Sequence, residues 1–220
     1  MTGDITEAEL CDRYGELYTG LVADILDDHG YEDQTLHGID PLDRGMRAAG
    51  IAHPAVGRAN RSVDPDEQAY RFLRMIEETP ADSMLLLDAN DAVASHIGEL
   101  TTTALHNNGC RGAVIKGAVR DTEFIVEQGF PVFTDRRSPL DALPRWELVE
   151  WGETAVVGGV TVSPGDVVLA DADGVVVVPE GVKSEVLADA ETERDTESEM
   201  RTAIEEGMSP VDAYEEYGTF

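Results

Sequence analysis

The chain has 220 residues, enough for a single domain whose core buries most of its apolar surface. Its 45 acidic residues outnumber 16 basic ones, giving a formal charge of −29. That excludes nucleic acid and anionic membrane surfaces as partners, since both repel such a surface.

A hydrophobic share of 42% is too high for a disordered acidic tail. No run approaches the roughly 20 apolar residues of a membrane span. The opening residues, MTGDITEAELCDRYGELY, lack the basic-then-apolar order of a signal peptide, so a soluble cytoplasmic protein is expected. Only Lys116 and Lys183 are lysines; the other 14 basic residues are arginine. An acid excess with so little lysine reads as a halophilic adaptation, in which salt screens carboxylate self-repulsion. Cys11 and Cys110 stand far apart in no metal-ligand spacing, so neither a disulfide framework nor a zinc site is expected.

Residues 4–30 carry an apolar stripe at helical spacing, Leu10, Tyr14, Leu17, Leu21, Ile25 and Leu26, with Gly30 as the stop. From Thr35 to Val56 glycine and proline punctuate short strands and turns. Residues 66–79 read as a helix with an acidic first turn and Pro80 beyond its end. Then come a short apolar run at 84–89, a helix from Glu99 to a glycine stop at Gly109, and a buried-type strand at 112–117. A turn and short helix at 119–129 and a strand at 130–135 follow. Strands and helices alternating over short connections imply parallel crossovers, whose ligands gather beyond the carboxyl ends of the strands. Residues 136–150 look irregular, with Pro139 and Pro144; residues 151–179 are rich in strands. Residues 181–207 form a long charged helix with a thin stripe of Val182, Val186, Leu187, Met200 and Ile204, which suggests packing against another subunit. Ser209-Pro210 opens a last short helix.

Two local features can carry chemistry. Arg120 and Asp121 fall at a strand-to-helix turn, where both can face one cleft, Arg120 as a fork for a carboxylate and Asp121 as a metal ligand. The competing reading is that Asp121 caps the helix and Arg120 pairs with a surface acid. Gly98-Glu99-Leu100 opens the preceding helix, whose N–H groups suit a substrate carboxylate or an oxyanion. Glu99 there either holds a metal-bound water or is simply favoured by the helix dipole. Twenty residues separate Glu99 from Arg120, one helix plus one strand, which sets two strand-end loops side by side. A hard divalent ion such as Mg²⁺ takes few carboxylates and keeps several waters, so one Asp bound directly and one Glu reaching through water would serve. His96 and His106 read as packing or surface residues, and His29, His37 and His53 have no partner spacing. No glycine-rich nucleotide loop, nucleophile elbow or HExxH pattern occurs. Cys110 lacks a helix N-terminus to activate it.

The order GELTTTAL, GAVIKGAVRD, QGFPVFTDRRSPLDALPRWE and VGGVTVSPGDVVLADADGVVVVP resembles the RraA-like family. The family takes in 4-hydroxy-4-methyl-2-oxoglutarate/4-carboxy-4-hydroxy-2-oxoadipate aldolases and regulators of ribonuclease E activity. DILDDHG near residues 24–30 and the ending GMSPVDAYEEYGTF fit it as well. The resemblance implies an α/β swivelling β/β/α fold, a single domain over residues 1–207 with a C-terminal helix, and a tail helix at 208–220. It implies homotrimers or homohexamers with sites between subunits. By the same resemblance Asp121 binds Mg²⁺ or Mn²⁺, Arg120 binds the pyruvate-like part of a small 2-oxo acid, and Glu99 orders metal-bound water. The backbone of Gly98, Glu99 and Leu100 then holds the substrate carboxylate, and Glu197 of a neighbouring subunit, with Glu193 or Glu199 as alternatives, completes the site. The expected activity is that of a metal-dependent aldolase or decarboxylase; the alternative is a non-catalytic protein-binding regulator. The chain departs from the family pattern at Glu99 and at Lys116, where Asp is usual, and Lys116 is expected to bring a cation near the metal.

Overall fold

The structure is a computed structural model that describes residues 5–219. Asp4, where the predicted first helix begins, and Phe220, the end of the predicted tail, lie outside the described residues. The N-terminal stripe is divided between two helices, α1 (Glu7–Gly15) and α2 (Thr19–Asp28). All six predicted stripe residues are buried. The break is fixed from far away. The buried Asp171 carboxylate accepts from Thr19 N at 2.8 Å and Thr19 Oγ1 at 2.7 Å, and so caps α2 across 152 residues of chain.

The central sheet runs β1 (Asp40–Pro41), β6 (Val132–Arg137), β5 (Gly112–Val119), β3 (Ser83–Asp88), β2 (Ala48–Ala59), β10 (Val167–Ala170), β11 (Val175–Val178). Strands β2, β3, β5 and β6 are parallel neighbours, as the alternating pattern of the middle of the chain predicts. Their crossovers are α3 (Pro65–Glu78), α4 (Glu99–Asn107) and α5 (Thr122–Gln128), which lie side by side. The short β4 (Ser95–Ile97) adds a parallel pairing to the far end of β5.

Two sequence expectations are corrected. The short segments expected up to Val56 are in fact closed by one twelve-residue strand, β2. Its breakers have local causes. Pro54 sits where β2 passes from its antiparallel partner β10 to β7 (Trp146–Trp151), with a bulge at Val56/Gly57. Gly57 is needed because a Cβ there would lie 1.9 Å from the Trp146 ring. The second correction is β7 itself, inside a stretch expected to be irregular. Trp146 and Leu148 point inward and alternate with Glu147 and the exposed Val149, a pattern masked by the prolines before it.

β8 (Ala155–Val157) and β9 (Val160–Val162) form a separate hairpin. One core lies between the sheet and its crossover helices; a second packs α1, α2 and α6 (Lys183–Glu205) on the other face of β10 and β11. Of the predicted α6 stripe, Val186, Leu187 and Met200 are buried. α7 (Pro210–Tyr217) packs on α6, capped by Ser209 as expected. Among the described residues no helix is long and apolar enough to cross a membrane.

Candidate active site

β4 and β5 end side by side, and their carboxyl ends carry the two predicted motifs. Arg120 N donates to Ile97 O at 3.1 Å, which ties the loop after β5 to the end of β4. Gly98 follows at once as the N-cap of α4, and Asp121 is the N-cap of α5. Asp121 has φ +56° and ψ +33°, the left-handed region that a non-glycine residue enters at a cost of about 1 kcal/mol or more. Its side chain makes no capping bond to α5. The capping alternative for this residue is therefore corrected: the left-handed backbone turns the carboxylate away from the helix it precedes. The carboxylate faces the start of α4 instead, where Oδ2 accepts from Glu99 N at 3.4 Å. Gly98 permits this approach, since a Cβ there would lie 2.4 Å from Asp121 Oδ2 and 3.1 Å from Arg120 Cγ.

The Arg120 guanidinium is suspended between two acids, with Nε 3.6 Å from Asp121 Oδ2 and Nη1 3.7 Å from Asp141 Oδ2. Both separations exceed a hydrogen bond, so its fork of donors is committed to neither acid. Beside it Gly98 gives α4 no side-chain cap of its own, so its first N–H has only the long bond to Asp121, and Leu100 there is exposed. The α4–α5 pair is stitched by Gln128, which accepts from Thr102 Oγ1 at 2.9 Å and donates to Thr103 Oγ1 at 2.7 Å. Gly98, Glu99, Leu100, Arg120 and Asp121 thus meet at one corner.

Among the described residues no cluster of three His, Cys, Asp or Glu side chains could hold a metal ion. That bears on the kind of ion. A zinc site needs such a cluster, whereas Mg²⁺ or Mn²⁺ binds through one or two carboxylates and keeps its waters. The half-exposed Asp121 carboxylate, which makes no bond to its own helix, offers hard oxygens that fit that second kind of site.

The sequence profile described as RraA-like: Aldolase/RraA matches residues 8–177. The chain belongs to the RraA-like family. Protein DlpA of Legionella pneumophila is 32% identical over 201 residues, a match that takes in 89% of this RraA-like chain and 32% of DlpA. The chain therefore spans less than a third of that relative's length. A protein of Halalkalibacterium halodurans named "Putative 4-hydroxy-4-methyl-2-oxoglutarate aldolase" is 28% identical over 208 residues, 94% of each chain. Among solved structures, Streptomyces coelicolor RraAS2, described as an unusual member of the RNase ES inhibitor RraA protein family, matches with a TM-score of 0.79. That match covers 90% of this chain and 98% of that one at 24% identity, and it speaks for the RraA-like fold alone.

Other predicted residues lie elsewhere. Glu193, Glu197 and Glu199 are on α6, which packs on α2 and α7, and none is an ion-pair or hydrogen-bond partner of Arg120 or Asp121 within the chain. Lys116 does not bring its charge to Asp121: its ammonium donates to His37 O at 3.3 Å and lies 3.8 Å from Asp135. Cys110 is buried and burial raises its thiol pKa, so it is no nucleophile. Sequence reading misses Asp141, the second acid beside Arg120, because it sits in an irregular stretch with no pattern to mark it.

His96 is buried against Trp146, ring centroids 4.9 Å apart, with Asp91 3.3 Å away. Burial lowers its pKa below the ordinary 6.5 against the opposing pull of Asp91; burial lowers that of His53 in the same way, opposed by Glu78. Below about pH 6.5 the unfolded chain then binds more protons than the folded one. This contribution to stability is complete above that pH and is lost as the pH falls beneath it. Urea midpoints should drop between about pH 7 and pH 5, and replacing both histidines by glutamine should flatten the drop. An equally steep drop in the double variant would contradict the assignment.

Proposed function

We propose that this chain is a divalent-metal-dependent lyase that breaks a C–C bond of a small 2-oxo acid and releases pyruvate by way of its enolate. The observation that supports this most is Asp121, held in a left-handed conformation with its carboxylate turned from its own helix toward Gly98 and Arg120. In the retro-aldol direction the 4-hydroxyl loses its proton and the C3–C4 bond breaks. The electron pair passes to C3, leaving an aldehyde or ketone and the pyruvate enolate. Loss of CO₂ from oxaloacetate leaves the same enolate, so one site serves an aldolase and a decarboxylase.

Arg120 binds the pyruvate half and stabilises the enolate oxygen with charge-assisted hydrogen bonds. The first N–H groups of α4 beyond Gly98, that of Leu100 and that of Glu99 in exchange for its long bond to Asp121, hold the substrate carboxylate. Glu99 acts through a water to take the hydroxyl proton and return one to C3. Glu197 of a neighbouring copy, in a homotrimer or homohexamer, supplies a further carboxylate. Mg²⁺ or Mn²⁺ held by Asp121 would supply Lewis-acid stabilisation of charge on the 2-oxo oxygen.

Pyruvate release from oxaloacetate and from 4-hydroxy-2-oxo acids, measured with Mg²⁺ or Mn²⁺ and again with EDTA, tests the proposal. Release that EDTA abolishes is expected. A purified protein that binds neither ion and releases no pyruvate would point to the protein-binding regulator instead.

A further inference from the structure

Next to Arg120 and Gly98 a cavity of ≈ 320 Å³ opens between α3, the β4–α4 junction and residues 141–146. Phe72, Leu73 and Trp146 form its apolar wall. Three polar side chains also line it, each more than nine-tenths buried: Gln68 at 2% exposure, Ser95 at 4% and His96 at 5%. Two of them carry a buried atom with no hydrogen-bond partner among the described residues, Gln68 Nε2 and Ser95 Oγ, whereas His96 Nδ1 lies against Gly117 of β5 and Nε2 faces Asp91. Leaving such a group unsatisfied is costly. Two such groups around one cavity next to Arg120 mark a place where something with hydrogen-bonding oxygen belongs. Gln68 makes the point sharply. It lies one turn before Phe72 on the buried side of α3, which otherwise presents Met75 and Ile76 to the core.

The charge inside the cavity is as informative as the orphaned atoms. No lysine lines it, and its one arginine, Arg120, is at the mouth and already faces Asp121 and Asp141. Burial keeps His96 uncharged near neutral pH. A carboxylate pushed inside would lose its water without gaining a cation, and Asp141 at the entrance would repel it.

We propose that this cavity seats the part of an aldol substrate beyond the broken bond, and that this part is an uncharged tail bearing one hydrogen-bonding oxygen rather than a second carboxylate; oxaloacetate, which loses only CO₂, has no such tail. The proposal rests on the lyase reading and narrows its substrate class. Gln68 is the specificity-determining residue: its amide meets the tail oxygen, while Phe72 and Trp146 cover the tail's carbon atoms.

Calorimetric binding to the full chain with Mg²⁺ tests this with three probes that lack a 4-hydroxyl and so are not cleaved by the retro-aldol route. These are pyruvate, 2-oxoadipate and the 6-methyl ester of 2-oxoadipate, the last two differing by one methyl group that removes the charge of the tail. The ester should bind at least about tenfold tighter than 2-oxoadipate. Gln68→Met should weaken the ester roughly three- to tenfold and leave pyruvate unchanged. Leu73→Trp, at a rim position that is 55% exposed and so tolerant of substitution, should obstruct the ester and spare pyruvate. If pyruvate binds but 2-oxoadipate binds as tightly as the ester, or if both variants keep the wild-type ratio of ester to pyruvate, the tail proposal is overturned and the lyase reading stands. If no probe binds, pyruvate included, the lyase reading falls and the tail proposal falls with it.

Discussion

Asp121→Asn should reduce the turnover of oxaloacetate by roughly 10³-fold or more while leaving the unfolding temperature within about two degrees of wild type. The two expectations come from different parts of the residue. The backbone at φ +56° is one that asparagine tolerates nearly as well as aspartate, so the fold hardly notices the change. The carboxylate does not cap its own helix, its bond to the start of α4 is long at 3.4 Å, and its ion pair with Arg120 is long and half-exposed, so little stability is lost with the charge. What is lost is the anionic oxygen on which the chemistry depends. Asp121→Gly sharpens the test. Glycine relieves the left-handed strain, so this variant should be equally inactive and yet up to about 1 kcal/mol more stable in urea denaturation. An inactive variant more stable than its parent is the signature of strain kept for function. Activity within tenfold of wild type in either variant would remove Asp121 from the reaction.

Gly98→Ala should act on the same carboxylate from the other side. The added methyl would stand 2.4 Å from Asp121 Oδ2, well inside contact distance, and either Asp121 or the start of α4 must give way. Backbone angles of φ −148° and ψ −169° suit alanine, so no backbone strain is added at residue 98 itself. The expected result is a fall in turnover of about 10²-fold, with weaker Mn²⁺ binding and only a small change in stability. Manganese titration followed by electron paramagnetic resonance, alongside kcat, checks both. Unchanged metal affinity would mean that the close packing of Gly98 on Asp121 has no part in holding the ion.

The parallel part of the fold could be read from the chain because its signals are local. Apolar runs at 84–89, 112–117 and 130–135 alternate with capped helices, and that order leaves few topologies. β2 and β7 escaped because what makes Gly57 and Pro54 acceptable in a strand is a Trp146 ring and a change of partner strand, both remote in sequence. The break between α1 and α2 escaped for the same reason, since its cap is Asp171. At the site, the spacing of Glu99 and Arg120 foretold that two loops would meet. It could not foretell that Asp121 would adopt a left-handed backbone, nor that Gly98 would be the residue making room for it. The cavity beside Arg120 left no trace in sequence at all. Gln68 reads there as one more polar residue on a charged helix, and only packing shows it to be buried without a partner.

The most direct test is a crystal grown with Mn²⁺ and oxalate, a mimic of the pyruvate enolate. The anomalous signal of manganese should fall on the Asp121 carboxylate, with oxalate between it and Arg120 against the first turn of α4. Manganese bound elsewhere on the chain, or neither ligand found between Gly98 and Asp121 at saturating concentration, would contradict the proposed chemistry.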